Sequence, residues 1–151
     1  MQRIWIYQAD RQLTAADKAK VQDKLALFTA DWKAHGQPLA AKAEIRYDRF
    51  IILMVDDAIA PPTGCSIDKS VYLLKEIEEE TGLNLFDRLQ MAYRKGEQIV
   101  AAPRHEFERL IAEKEVTEDT IVFNNLITSY PELDTHWEVP MKESWHAQVF
   151  L

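Results

Sequence analysis

Six consecutive apolar residues, Phe50-Ile51-Ile52-Leu53-Met54-Val55, constrain the fold of this chain more than any other segment. With no polar residue in alternation, neither face of the run tolerates water, which predicts a central strand covered on both sides. The preceding segment has a different pattern. Ala41, Ala43, Ile45 and Tyr47 alternate with Lys42, Glu44 and Arg46, as in a half-buried strand, and Asp48-Arg49 between the two runs predicts a tight hairpin.

The other elements arrange themselves around this hairpin. Ile4 to Tyr7 predicts a short first strand, followed by a polar turn from Asp10 to Leu13. Thr14 is a candidate N-cap with Asp17 in the capping-box position, and Val21, Leu25, Phe28 and Trp32 trace one buried helical face as far as His35-Gly36. Ala60-Pro61-Pro62-Thr63-Gly64 is a loop, and a second helix is expected from near Ser66, with Asp68 in its first turn. Ile67, Val71 and Leu74 mark one side of that helix, Tyr72, Leu73 and Ile77 the adjoining one, and Thr81-Gly82 closes it. Leu89, Met91 and Tyr93 alternate before Lys95-Gly96, and Ile99-Val100 complete a second hairpin. Pro103 opens a third helix carrying Phe107, Leu110 and Ile111, and Thr120 to Phe123 form a last short strand.

This order predicts an α+β fold of the ferredoxin-like (split βαβ) kind, an antiparallel-rich sheet with helices on one face. The core is expected over roughly residues 1–95, with a C-terminal hairpin-helix-strand extension over 96–151. No composition break or flexible linker interrupts the 151 residues, so one domain is expected.

Eighteen basic against 25 acidic residues give a formal charge of -7, with the basic residues dispersed. Nucleic-acid binding is disfavoured, since its affinity comes from neutralising phosphates. The single cysteine forms no internal disulfide and points to the cytoplasm. The absence of an apolar leader or a membrane-length apolar run predicts neither export nor membrane insertion. No histidines stand at ligand spacing to one another or to the cysteine, so neither a metal nor a cofactor is expected.

Two segments imitate a nucleotide hydrolase. Gly64-Cys65-Ser66-Ile67-Asp68-Lys69-Ser70 echoes the phosphate loop G-x-x-x-x-G-K-[ST], and Ile52 to Asp57 echoes the strand ending in a Mg²⁺-binding acid. Lys69 stands where the loop needs glycine and Ser70 where it needs lysine, and the acidic strand precedes the loop instead of following it. ATP hydrolysis is therefore not expected.

At these residues the chain resembles a small uncharacterised bacterial family. The shared segments are Trp5 to Asp10, Ala43 to Tyr47, Gly64 to Val71, Ile121 to Asn125 and Ser144 to Ala147, covering nearly the whole length. Members are often labelled "ABC transporter ATPase", a label this sequence contradicts by its length and its lack of a Ser-Gly-Gly-Gln signature. The resemblance implies an orphan family, with no activity or catalytic residue to carry over. The stretch from Phe107 through Thr120 to Phe123 and Trp137 also loosely resembles a GYF-type peptide-binding module, without the glycine such modules carry where Lys114 or Glu115 stands.

Candidate chemistry centres on the second helix start. Cys65 at a helix N-terminus has its thiolate favoured by the helix dipole, with Lys69 one turn on and His146 the histidine that would serve as base. The same start is a candidate anion site, in which free N–H groups, the Ser66 hydroxyl and Lys69 converge on a phosphate or carboxylate. Capping by Ser66 and Asp68 competes with that reading. Trp137, Trp145 and His146 either line a pocket, with Trp145 as a ligand contact, or pin the tail to the core, and pinning is preferred. Arg46 and Arg49 suit an acidic partner or a solvated face, and Asn124-Asn125 a turn or a ligand. The leading expectation is a non-catalytic cytoplasmic binding or interaction protein, for a small anion or a protein partner. Self-association into a homo-oligomer is expected through a sheet face left free. The alternative is a small enzyme or redox protein using Cys65.

Overall fold

The structure is a computed structural model describing residues 1–151. The chain divides into two compact units, Met1–Phe86 with Thr128–Tyr130, and Asp87–Ile127 with Pro131–Leu151. In the first lie β1 (Gln2–Gln8), α1 (Ala15–Ala30), the two-residue strands β2 (Lys33–Ala34) and β3 (Gln37–Pro38), β4 (Ala41–Arg46), β5 (Phe50–Asp56) and α2 (Gly64–Thr81).

The apolar run is the middle strand, as expected. The sheet order is β1-β5-β4, with β5 antiparallel to both neighbours, so that β1 and β4 run parallel to each other. On one face Tyr7, Ile51 and Leu53 pack with Val21 and Leu25 of α1 and with Leu73, Leu74 and Ile77 of α2. On the other, Ile4 opposes Met54 and Ile6 opposes Ile52, and none of these four is more than 7% exposed. Burial of each such side chain contributes roughly 2 kcal/mol. Neither side of the sheet is free, which removes the ground on which self-association through a sheet face was expected.

The start of α1 matches the sequence. Thr14 Oγ1 accepts from the N–H of Asp17 at 3.1 Å and Asp17 Oδ2 accepts from the N–H of Thr14 at 2.9 Å, a reciprocal capping box. Arg11 donates to Asp17 Oδ2 at 2.6 Å and to the Thr81 carbonyl at 2.8 Å, tying the first turn of α1 to the last turn of α2. These bonds, that from Arg11 first, hold the Asp17 carboxyl down at about 2.

The end of α1 differs from expectation. The helix stops at Ala30, and His35-Gly36 is the turn of the β2–β3 hairpin, with φ of 51° and 75°. Two successive left-handed residues build a mirror-image turn between strands, in which the backbone groups pair across the hairpin instead of along a helix. Trp32 thus lies beyond the helix, packed with Ala34, Leu39, Val55 and Ala60. Tyr47 likewise leaves its strand for the β4–β5 turn, where it and Asp48 have φ of 56° and 52°.

In the second unit lie β6 (Gln90–Lys95), β7 (Gln98–Pro103), α3 (Arg104–Ala112), β8 (Ile121–Phe123), β9 (Glu138–Pro140) and α4 (His146–Phe150). The order β7-β6-β8-β9 is antiparallel throughout, over a core that includes Phe107, Leu110, Val116, Val122 and Met141. The strand around Leu89–Tyr93, expected as the fourth strand of the first sheet, is β6. Both of its edges are used by β7 and β8, and a strand has only two. The outer edge of β1 is met instead by Thr128, whose carbonyl accepts from Ile4 N–H at 2.9 Å, and by a single bridge from Ser129 to Arg3. The division expected near residue 95 falls after Phe86. β9 was not foreseen, because three residues ending in proline show no alternation.

Candidate functional site

The chain enters α2 through Thr63, which caps it. Thr63 Oγ1 accepts from Ser66 N–H at 3.2 Å, while the Ser66 hydroxyl oxygen accepts from Thr63 N–H at 2.7 Å and its proton goes to the Thr63 carbonyl at 2.8 Å. The helix therefore begins two residues before Ser66, and this corrects the anion site expected there. Ser66 is 1% exposed and its hydroxyl proton is committed to the cap, so burial closes this group to a ligand. Asp68 lies past the first turn, which holds no acidic residue. Gly64 to Ser70 are all helical, leaving no loop to wrap a phosphate.

Cys65 and Lys69 are both exposed, one turn apart on α2. The next turn of the same helix face, at Leu73 and Glu76, forms one wall of a cleft of about 450 Å³ between α1 and α2, and Lys69 lines it too. The opposite wall comes from Lys24, Leu27 and Phe28 of α1, and Asp31, Trp32 and Lys33 close one end. Trp32 is held rigidly, since its indole N–H donates to the buried Ser66 carbonyl at 2.8 Å and its ring lies 4.8 Å from that of Phe28. The two tasks of this helix start are thus connected: the cap that uses up Ser66 also places the carbonyl that fixes Trp32.

The cations of the cleft are not equivalent. Lys24 pairs with Glu80 at 2.9 Å and Glu76 at 3.6 Å, which raise its pKa, and Lys33 pairs with Asp31 at 3.6 Å. Lys69 makes no ion pair. Leu27, on the lip, is 75% exposed. Sequence reasoning found Lys69 and missed Leu27, Lys24 and Lys33. The signal available was Leu27 itself, an apolar residue out of phase with the Val21-Leu25-Phe28 face.

His146 belongs to the second unit, in α4. Its ring is 1% exposed, stacked 3.9 Å from Trp145 and near Phe107 and Phe150, with Nδ1 bonded to Ser144 Oγ at 2.7 Å. Burial lowers its pKa to about 4. A neutral imidazole enclosed in this way is a packing element and not the base proposed for Cys65. Trp145 is half-buried against the core of its unit, so the tail is pinned as preferred. Asn125 Oδ1 accepts from the buried Trp137 indole at 2.9 Å and Asn124 Oδ1 from Leu126 N–H at 3.1 Å, which are turn and packing roles. Arg46 pairs with Glu44 at 3.1 Å, and Arg49 donates to the Asp10 carbonyl at 3.2 Å.

No group of three or more His, Cys, Asp or Glu side chains is gathered as metal ligands would be, and no helix is long and apolar enough to cross a membrane. Comparison of the chain with protein-family models, with curated proteins and with solved structures finds no match in any of the three.

Proposed function

We propose that this chain is a non-catalytic binding protein whose ligand site is the α1–α2 cleft, and that its ligand is a small anion with an apolar body. The observation that carries the reading is Lys69, an unpaired ammonium beside Phe28, Leu73 and the exposed Leu27. A cavity of about 450 Å³ falls in the range that small ligands occupy, and such sites combine apolar walls with a few polar groups that fix orientation. The first unit supports a ferredoxin-like reading in which β1, α1 and the β4–β5 hairpin make the split βαβ and the fourth strand is absent. We further propose membership of the orphan family resembled above, without ATPase activity, since the Gly64 to Ser70 segment is helix.

The test is a titration of ¹⁵N-labelled protein with benzoate, acetate and inorganic phosphate. Benzoate is expected to shift the Trp32 indole and the Lys69 and Leu27 amides at millimolar concentration, more strongly than acetate, and Lys69→Met is expected to abolish the shift. No change at these three residues with any probe overturns the reading. The exposure of Cys65 favours thiol chemistry as the second reading. An iodoacetamide rate profile with its midpoint near or above about 8.5 would sink it.

A further inference from the structure

The sheet order β1-β5-β4 leaves the outer side of β4 without a strand partner. β4 is six residues long and contains no proline. Natural edges are commonly blunted by proline, a bulge, shortness, an inward charge or charged side chains, and of these β4 has only the last, in Lys42, Glu44 and Arg46. Ala43 and Ile45 face the helices and are only partly buried, while Lys42, Glu44 and Arg46 occupy the other face.

The helix beside this edge is also bare. α1 packs on both β4 and α2. Its Lys24 side is committed to α2 through Glu76 and Glu80. The opposite side of the helix, carrying Ala15, Gln22 and Ala26, overhangs the free edge and is exposed. The two alanines there let a second helix approach closely.

We infer that two copies of this chain associate through β4, antiparallel about a two-fold axis, joining two three-stranded sheets into one of six strands and bringing α1 against α1. The occupant is a second copy because β4 is electrostatically complementary to itself in one full-length register. With Ala43 opposite Ala43 of the second copy, Lys42 faces Glu44, Ala41 faces Ile45, and each contact occurs twice, as a two-fold interface requires. Opposite charges directly across an antiparallel pair stabilise it, and like charges destabilise it. Centring the pair on Glu44 sets Glu44 against itself and Lys42 against Arg46. Centring it on Ile45 runs the strand into the Tyr47-Asp48 turn and leaves three pairs. The backbone hydrogen bonds of the added strand supply affinity, and the charge pattern supplies register. The α1–α2 cleft lies on the other side of α1, so this inference does not depend on the ligand reading.

Sedimentation equilibrium over a dilution series tests it. Wild-type protein is expected at twice the 17.5 kDa chain mass at micromolar concentration, dissociating on dilution. Glu44→Lys, which sets Lys42 against a lysine, is expected to shift the midpoint to at least about tenfold higher concentration, and the Lys42→Glu/Glu44→Lys double variant to restore it. Ala26→Arg, at an exposed helix position, is expected to give monomer while leaving the far-ultraviolet circular dichroism unchanged, and it decides the matter if the strand variants do not fold. A constant monomer mass for the wild type overturns the inference, as does a dimer indifferent to Ala26→Arg. A double swap that folds and stays monomeric overturns the register.

Discussion

The imidazole of His146 is stacked 3.9 Å from the indole of Trp145 and 6.5 Å from the ring of Phe150, with one nitrogen bonded to Ser144. Because burial lowers its pKa from 6.5 to about 4, the unfolded chain takes up this proton more readily than the folded one. Stability is therefore complete above about pH 6.5 and falls as pH drops toward 4. The loss is on the order of 3 kcal/mol over that window. Urea unfolding at about pH 7 and about pH 5 checks this: the wild-type midpoint is expected to fall by more than that of His146→Phe, which keeps a ring but cannot titrate. Equal falls would show that His146 is not the group responsible. The sequence placed this residue in the tail among aromatics but left its role open between base and packing. Neighbours decide that choice, and Phe107, nearly forty positions away, is visible only in the fold.

Element ends show what local sequence does and does not determine. Thr14 and Asp17 announce the start of α1 because a capping box is made within four residues. Its end was misplaced because Trp32 happens to continue the helical spacing of Val21, Leu25 and Phe28, although the chain has already turned into a hairpin. α3 gives the converse case. Its C-terminus closes with Lys114 N–H donating to the Ile111 carbonyl at 3.0 Å and Glu115 N–H to that of Leu110 at 2.9 Å, and Lys114 has φ of 63°. This is the Schellman arrangement, which prefers glycine at that position. The glycine missing from the sequence is thus missing at a turn that forms regardless. Lys114→Gly is expected to stabilise the protein by roughly 0.5–1 kcal/mol, read as a higher urea midpoint at unchanged slope. No gain would mean that this cap is not left-handed in solution. The cleft between α1 and α2 was illegible for a related reason. Lys24 and Glu76, fifty-two positions apart, acquire meaning only once the two helices lie side by side.

At the scale of the molecule, composition and the apolar run predicted a mixed α+β fold with a buried central strand. They did not predict two units, because the chain crosses between them without any linker-like segment. The first unit is also discontinuous, since it takes Thr128–Tyr130 from far along the chain. A fragment ending at Phe86 is accordingly expected to leave the edge of β1 unpaired. Hydrogen exchange at the Ile4 amide, which donates to Thr128 in the whole protein, is expected to be slow in the full chain and fast in the fragment. Equal protection in both would show that the first unit is self-sufficient.

The bridge between Arg3 and Ser129 also sets a schedule for biosynthesis. β1 leaves the ribosome before its edge partner, which at about 10 residues per second is synthesised more than ten seconds later. For that interval the nascent chain displays the unpaired edge of a strand containing Ile4, Trp5, Ile6 and Tyr7, a ready template for a neighbouring chain on the same polysome.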